Sequence, residues 1–229
     1  MSAPARGMSA PARALLIATR ELLAERAHPD GLAAALTFTG MLVLLESLAF
    51  GPGRAREPDV ASGVFWIAIL FAAMLVTQRS FDRELEDNAI DAVIALPSGR
   101  DALFAGKVLA LGLLMLIVGV AAGTFSIFLL DLDVALPGHL AFVTLLGIVA
   151  LAPVMIVNNV VALRVRARVA LVPILSFPML VPQLVAASQG SAAALAGDAT
   201  VALAWGTLLI AFAFVYAVLG LTIVPSAIE

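Results

Sequence analysis

The chain has 229 residues, 62% of them hydrophobic, and its mean hydropathy is +1.09. Water-soluble domains are usually about 45–50% apolar, so this excess points to the lipid bilayer as the solvent. The net charge of −3 gives no reason to expect a nucleic-acid partner, and the absence of cysteine excludes disulfides, thiolate metal sites and C-x-x-C motifs within this sequence.

The amino-terminal region predicts a tail followed by a short helix. MSAPAR occurs at 1–6 and again at 8–13, and residues 1–11 are expected to form a flexible cytoplasmic tail. Residues 12–27 predict a helix whose apolar face is too short to span a bilayer, so the helix is expected to lie in the interface. No signal peptide is expected, because charged residues precede the first long apolar stretch. The apolar face comprises Leu15, Leu16, Thr19, Leu22 and Leu23.

Six later stretches are long and apolar enough to cross a membrane as helices. About 20 residues are needed to cross roughly 30 Å of hydrocarbon. Continuous apolarity, rather than alternation, excludes the strands of a barrel. We therefore predict an all-α integral membrane protein in which residues 12–229 form a single permease domain. The six predicted spans cover about 32–50, 60–78, 108–130, 140–162, 169–187 and 200–224.

The distribution of lysine and arginine predicts the orientation of these spans. When six spans are drawn, 11 of the 13 basic residues fall on one side, in the amino-terminal segment, in residues 79–107 and in the loop near 164–168. Arg54 and Arg56 fall on the other side. Because basic residues favour the cytoplasmic side, both termini are predicted to be cytoplasmic. A five-span or seven-span count would scramble this asymmetry.

Residues 79–107 form a charged segment between the second and third spans. Seven charges lie between Arg79 and Asp91, and apolar positions at i, i+4, i+7, i+8 and i+11 predict an amphipathic helix over about 81–96. One interpretation is a solvated connector on the membrane surface. The other is a helix that docks in a groove on a partner protein. The acidic character favours docking, since it suits an anionic lipid surface poorly.

The same segment does not predict a nucleotide site. GRDALFAGKV contains a glycine and a later Gly-Lys pair, but a phosphate-binding loop needs four residues between its glycines and Ser or Thr after the lysine. Here six residues intervene and Val108 follows the lysine. Any ATP is therefore expected to be bound by a partner.

The stretch GVFWIAILFAAMLVTQRSFDRELEDNAIDAVIALPSGRDALFAGKVLA resembles the CcmB family, the membrane subunit of an ABC transporter-like complex in cytochrome c maturation. An apolar span with tryptophan, a charged segment, a proline turn and AGKVLA occur in the family's order. ILSFPMLVPQLVAA is similar to the family's proline-rich stretch. Asn88 stands where the family usually has glycine after the acidic pair.

The resemblance implies an ABC type-2 permease-like fold in which residues 81–96 form a coupling helix. Such a helix sits in a cleft of a separate cytoplasmic ATPase and moves when ATP closes the ATPase dimer. Phe81, Leu85 and Val93 would then supply the apolar anchor. The charges expected to give partner specificity are those of Arg83, Glu84, Glu86 and Asp87.

The resemblance also implies a cellular setting. The chain would be a non-catalytic subunit of a bacterial-type inner membrane, present in two copies with two ATPase subunits. Its other partners would be membrane proteins of cytochrome c maturation and a haem chaperone. ATP hydrolysis would drive haem export or release of the haem-loaded chaperone. No haem ligand is predicted in this chain, because His28 and His139 are its only histidines and neither position indicates one.

Glu46 is the only acidic residue inside a predicted span. A carboxylate near the centre of a bilayer costs about 2.5–3.5 kcal/mol on insertion scales, which makes Glu46 a candidate functional residue. The alternative is that its side chain reaches the outer interface towards Arg54 or Arg56.

Three prolines, Pro173, Pro178 and Pro182, interrupt the fifth predicted span. Each removes a backbone donor, so the helix is expected to bend there. The bend is either a functional hinge, or a re-entrant pair, or a static kink.

Small and polar residues in the third and fourth spans predict close helix packing. Gly119 and Gly123 allow close approach, either within one subunit or between two. Asn158 and Asn159 are predicted to form hydrogen bonds with a neighbouring helix.

Other functions remain as alternatives. An ABC type-2 permease for a drug, lipid or glycan has the same fold. An ion-coupled secondary transporter or a passive scaffold is disfavoured, because Glu46 is the only acidic residue inside a predicted span and no internal repeat is visible. A membrane enzyme is disfavoured because no cluster of His, Asp or Ser recurs in the spans.

Overall fold

The computed structural model of the chain describes residues 9–86, 99–162 and 168–227. These residues form seven α-helices. We number them in chain order: α1 Ala10–Ala27, α2 Asp30–Arg54, α3 Pro58–Glu86, α4 Gly99–Leu130, α5 Pro137–Ala162, α6 Arg168–Ala196 and α7 Ala199–Ala227.

Six of the described helices are long and apolar enough to span a membrane, which confirms the predicted six-span, all-helical architecture. The fifth span differs in position from the prediction, because its apolar window continues to Ala196 instead of ending near residue 187. The sequence from Ser188 to Ser191 is polar, but both serines face other helices and are buried or half-buried. The spans are Asp30–Gly51, Pro58–Arg83, Asp101–Leu130, Pro137–Ala162, Ser176–Ala196 and Ala199–Val224.

Consecutive spans run in opposite directions and pack into one bundle around α5. α5 contacts α3, α4, α6 and α7, and every residue from 150 to 160 is buried. An all-apolar helix of this kind is typical of a bundle centre. α2 and α7 are peripheral and expose most of their side chains.

At one end of the bundle, α1 lies beside the start of α2, the end of α3 and the start of α4. We call this end of the bundle the α1 end. The opposite end is called the far end. At the far end an ion pair of 2.9 Å joins Arg56 to Asp131, and α2 kinks at Gly51, whose φ is 69°. Only glycine adopts this backbone conformation at no cost, which explains why the kink falls there.

Among the side-chain hydrogen bonds that hold α6 in the bundle, three have an amide or indole N–H as donor. Buried polar side chains need such partners, since an unpaired group costs about 1–3 kcal/mol. The bonds run from Asn158 Nδ2 to Ser176 Oγ (2.9 Å), from Gln183 Nε2 to the Gly147 carbonyl (3.1 Å) and from Trp66 Nε1 to Ser191 Oγ (3.0 Å).

Candidate functional site

A buried lysine joins three helices at the α1 end. Lys107, on α4, is 2% exposed, and its Nζ lies 3.1 Å from Glu21 Oε1 on α1. Nζ also donates a hydrogen bond of 2.8 Å to Ser80 Oγ on α3. Ser80 in turn donates from Oγ to Glu21 Oε2 at 2.7 Å, so the three side chains close a ring of contacts. We call Glu21, Ser80 and Lys107 the lysine cluster.

An aromatic ring completes the surroundings of the lysine. The Phe81 ring is fully buried, and its centroid lies 4.4 Å from Lys107 Nζ. A desolvated cation over an aromatic face gains about 2 kcal/mol or more. Ser80 and Phe81 are adjacent on α3, so consecutive residues of one helix supply a hydrogen-bond acceptor and a ring to the same ammonium group.

A second ion pair lies one turn further along α1. Glu25 is 2% exposed, and its Oε2 lies 2.7 Å from Arg83 Nη2 on α3. Its other oxygen, Oε1, accepts a hydrogen bond of 2.7 Å from the backbone N–H of Leu32. Leu32 lies in the first turn of α2, where backbone N–H groups lack helical partners and favour an anion. Glu25 therefore fixes α1 to both α2 and α3.

The two acidic residues of α1 thus hold both sides of the 79–107 segment. Ser80 and Arg83 lie where the chain enters this segment, and Lys107 lies where the chain leaves it. Removing one partner of a buried pair leaves an uncompensated charge, which typically costs 3–5 kcal/mol. Each of these buried charges therefore depends on the presence of its own partner.

The face that α1 presents to the bundle consists of alanines and glutamates, and it was not predicted from the sequence. Its buried residues are Ala14, Ala18, Glu21 and Glu25, whereas three of the four leucines on its apolar face are exposed, with Leu16 57% exposed. Small residues let the helix backbones approach closely, and the carboxylates meet cations on the other helices. Of these leucines, Leu22 packs against the core of the bundle.

The family model described as CcmB protein matches residues 12–229 of this chain. The chain belongs to the CcmB family. Its relatives include the heme exporter protein B of three bacteria. The Escherichia coli protein is 29% identical over 90 residues, which are 39% of this chain and 41% of that protein. The Rhodobacter capsulatus protein is 28% identical over 155 residues, which are 68% of this chain and 71% of that protein. The Pseudomonas aeruginosa protein is 27% identical over 183 residues, which are 80% of this chain and 82% of that protein.

Some predicted coupling residues of this CcmB-family chain lie next to the lysine cluster, some form the last turn of α3, and others lie outside the described residues. Phe81 and Arg83 contact Lys107 and Glu25, so contact of the Phe81 ring with an ATPase would require the ring to leave its buried position. The partner-contact assignment stays a prediction. The backbone of Glu84, Leu85 and Glu86 forms the last turn of α3, while Asp87 and Val93 lie outside the described residues.

The boundary of the predicted coupling helix also differs. The sequence predicted a span ending near residue 78 and a separate helix over about 81–96, but α3 continues without interruption from Pro58 to Glu86. The polar residues at the end of α3 do not end the helix, because the carboxylates of α1 bind Ser80 and Arg83. Residues 87–96 of the predicted helix lie outside the described part of the chain.

Glu46 lies on the inward stripe of α2 with Ala35, Thr39 and Val43. It is 4% exposed, and its Oε1 has no hydrogen-bond partner among the described residues. Among the described residues no ion pair joins Glu46 to Arg54 or Arg56, and Arg56 pairs with Asp131. A functional role for Glu46 stays a prediction.

α6 remains helical through all of its prolines, so the re-entrant alternative is wrong. Pro178 and Pro182 are exposed on its outer side, and the Met179 carbonyl accepts a hydrogen bond of 2.8 Å from Tyr216 of α7. The hinge at Pro173, Pro178 and Pro182 stays a prediction.

The predictions for the two asparagines of α5 are confirmed only for the first of them. Asn158 bonds to a neighbouring helix as predicted, but Asn159 donates its Nδ2 to the Met155 carbonyl of its own helix at 2.9 Å. Gly119 and Gly123 face α5 and α3 of the same chain. Within the described ranges, no three His, Asp or Glu side chains are grouped closely enough to hold a metal ion.

Sequence reasoning did not identify the lysine cluster. In the sequence, Lys107 is one of the basic residues of 79–107, and Glu21 and Glu25 are charged residues ahead of the first long apolar stretch. Two signals were available. Lys107 is flanked by apolar residues, and Glu21 and Glu25 are spaced i, i+4 on one helix face, where side chains are neighbours.

Proposed function

We propose that this chain is the membrane-spanning permease subunit of an ATP-driven complex in cytochrome c biogenesis. Membership of the CcmB family supports this function, as do relatives named heme exporter protein B. A separate ATPase would supply the energy, and the cargo would be haem or a haem-loaded chaperone. The chain would lie in a bacterial-type inner membrane with both termini cytoplasmic.

The observation that carries the coupling role is the attachment of α1 to both sides of the 79–107 segment. A coupling helix over about 81–96 would receive movement of the ATPase, and the lysine cluster would transmit that movement from α3 to α1 and α4. α1 would lie in the membrane interface, with its exposed leucines towards lipid and Glu21 and Glu25 towards the bundle.

Deletion of the gene tests the biological role. We expect c-type cytochromes to be lost while other cytochromes persist, and plasmid-borne wild-type chain to restore them. Haem-stained gels of membrane fractions measure the effect. Normal c-type cytochromes after deletion would contradict the proposal and favour a type-2 permease for a drug, lipid or glycan.

Reversal of the charges at the end of α3 tests the ATPase contact. In the double variant Glu84→Lys and Glu86→Lys, we expect co-purification of the ATPase from native membranes to fall at least tenfold, because charged contacts set partner choice. Membrane insertion should be unchanged.

Wild-type complexes should contain two copies of this chain per ATPase pair, and one copy would contradict the proposed assembly.

The matched control reverses two charges at the far end. Glu57 and Asp133 are exposed acidic residues, so Glu57→Lys with Asp133→Lys makes the same change in net charge. ATPase recruitment should stay at the wild-type level in this control. Equal recruitment by the two double variants would show that the end of α3 does not bind the ATPase.

A further inference from the structure

A small cavity lies between α3, α4, α5 and α6 near the far end of the bundle. Its volume is about 80 Å³, and most of its wall is apolar, with Phe65 and several leucines. No charged side chain lines it. Its polar lining comes from four hydroxyl-bearing residues, Ser62, Ser126, Thr144 and Ser191.

A buried hydroxyl group at this cavity, that of Ser126, lacks a hydrogen-bond partner among the described residues. Ser191 Oγ accepts a hydrogen bond from Trp66, and Ser62 Oγ lies 3.3 Å from Ser188 Oγ. Ser126 is 6% exposed, yet its Oγ has no hydrogen-bond partner in the described part of the chain. A buried hydroxyl normally has a partner, from protein or from ordered water. A small molecule in the cavity could form the missing hydrogen bond with Ser126 Oγ.

The cavity extends into the apolar part of the bundle. Thr144 lies seven residues into α5, which is roughly 10 Å from the helix start at 1.5 Å per residue. Three residues further along, the Trp66 ring packs against the backbone of Gly147, where an added Cβ would lie 2.1 Å from the ring. This contact closes the space between α3 and α5 towards the α1 end.

We propose that this cavity is a hydrated binding site for water and other small uncharged polar molecules, with Ser126 supplying a hydrogen bond. The volume accommodates more than one water molecule and lies well below the roughly 300 Å³ of sites that enclose drug-sized ligands. The uncharged lining does not favour ions, because a buried ion needs a counter-charge. The inference does not depend on the proposed function.

The absence of cysteine from the chain permits a direct test. Only the thiolate of a cysteine reacts, and burial in apolar surroundings suppresses it. In membrane vesicles, we expect the Thr144→Cys variant to react with methyl methanethiosulfonate, a small uncharged reagent, at least tenfold faster than Leu145→Cys. Leu145 is the next residue on α5 and is exposed on the outer surface of the bundle. Equal or slower reaction of Thr144→Cys would overturn the proposal.

Filling the cavity provides the second measurement. Gly123 lines the cavity, and a Cβ added there would lie 3.8 Å from Phe65 Cε2, an ordinary contact. Adding Gly123→Leu to Thr144→Cys should slow the reaction at least tenfold. Gly112→Leu on the same helix is the control, since a Cβ there meets no atom within 4 Å, and it should leave the rate unchanged. An unchanged rate with Gly123→Leu would contradict the assignment.

A second cysteine variant keeps the test available if the Thr144→Cys protein misfolds. If Thr144→Cys does not accumulate in membranes, Ser126→Cys replaces it and Phe125→Cys, an exposed neighbour on α4, becomes the control. We expect the same tenfold ratio for this pair. A ratio near one for Ser126→Cys and Phe125→Cys would overturn the proposal.

Discussion

Replacement of Lys107 by methionine is expected to release α1 from the bundle. Methionine fills a similar volume but leaves the buried Glu21 carboxylate without its cation. The expected loss is about 3–5 kcal/mol, the range for breaking one side of a buried pair. Since 1.4 kcal/mol is a factor of ten, hydrogen exchange of the amides of α1 should accelerate by about 100-fold or more in the purified protein.

Two matched variants separate the ion pair from other effects. Lys107→Met combined with Glu21→Leu removes both charges, and hydrogen exchange in α1 should return to near the wild-type rate. Arg79→Met removes an exposed cation one residue from Ser80 and should leave exchange unchanged. Wild-type exchange in the single Lys107→Met variant would show that the lysine cluster does not hold α1.

The number and helical character of the spans could be predicted because they depend on composition over long windows. A stretch of about 20 apolar residues has few alternatives to a helix in lipid. The fifth span shows the limit of this reasoning. Its last part contains Ser188 and Ser191, which look unsuited to a membrane until Ser62 and Trp66 are seen to bond to them.

The orientation of α1 around its own axis could not be predicted in the same way. The leucines define an apolar face, but lipid can accept that face as well as protein can. The bundle instead receives Ala14 and Ala18, whose small side chains permit close packing, and two glutamates whose partners lie on other helices. Apolarity alone does not identify the face that contacts protein.

The lysine cluster depends on contacts between distant parts of the sequence. Glu21 is separated from Ser80 by 59 positions and from Lys107 by 86. A single sequence shows each residue as a charge or a hydroxyl without its partner. The same limit applies to Phe81, for which the family resemblance implies an anchor on the ATPase, whereas its ring lies buried with its centroid 4.4 Å from Lys107 Nζ.

Replacement of Gly106 by alanine is expected to displace α1 by a steric route while every charge is kept. A Cβ at Gly106 would lie 2.7 Å from Ile17 Cβ and 2.8 Å from the Ala14 carbonyl oxygen. Neither atom is the end of a flexible side chain, so α1 itself must move. Overpacking of this kind costs about 1–3 kcal/mol, and hydrogen exchange in α1 should accelerate by roughly 10-fold to 100-fold.

Replacement of glycine by alanine six residues further along α4, at Gly112, should not accelerate hydrogen exchange in α1. A Cβ at Gly112 meets no atom within 4 Å, and alanine favours a helix over glycine by about 1 kcal/mol, so Gly112→Ala should leave exchange in α1 unchanged or slower. Gly106 and Lys107 are adjacent, which means that one position permits the close approach of α1 and the next supplies its buried cation. If α1 were attached only to the membrane surface and not to α4, both glycine variants would exchange like the wild type.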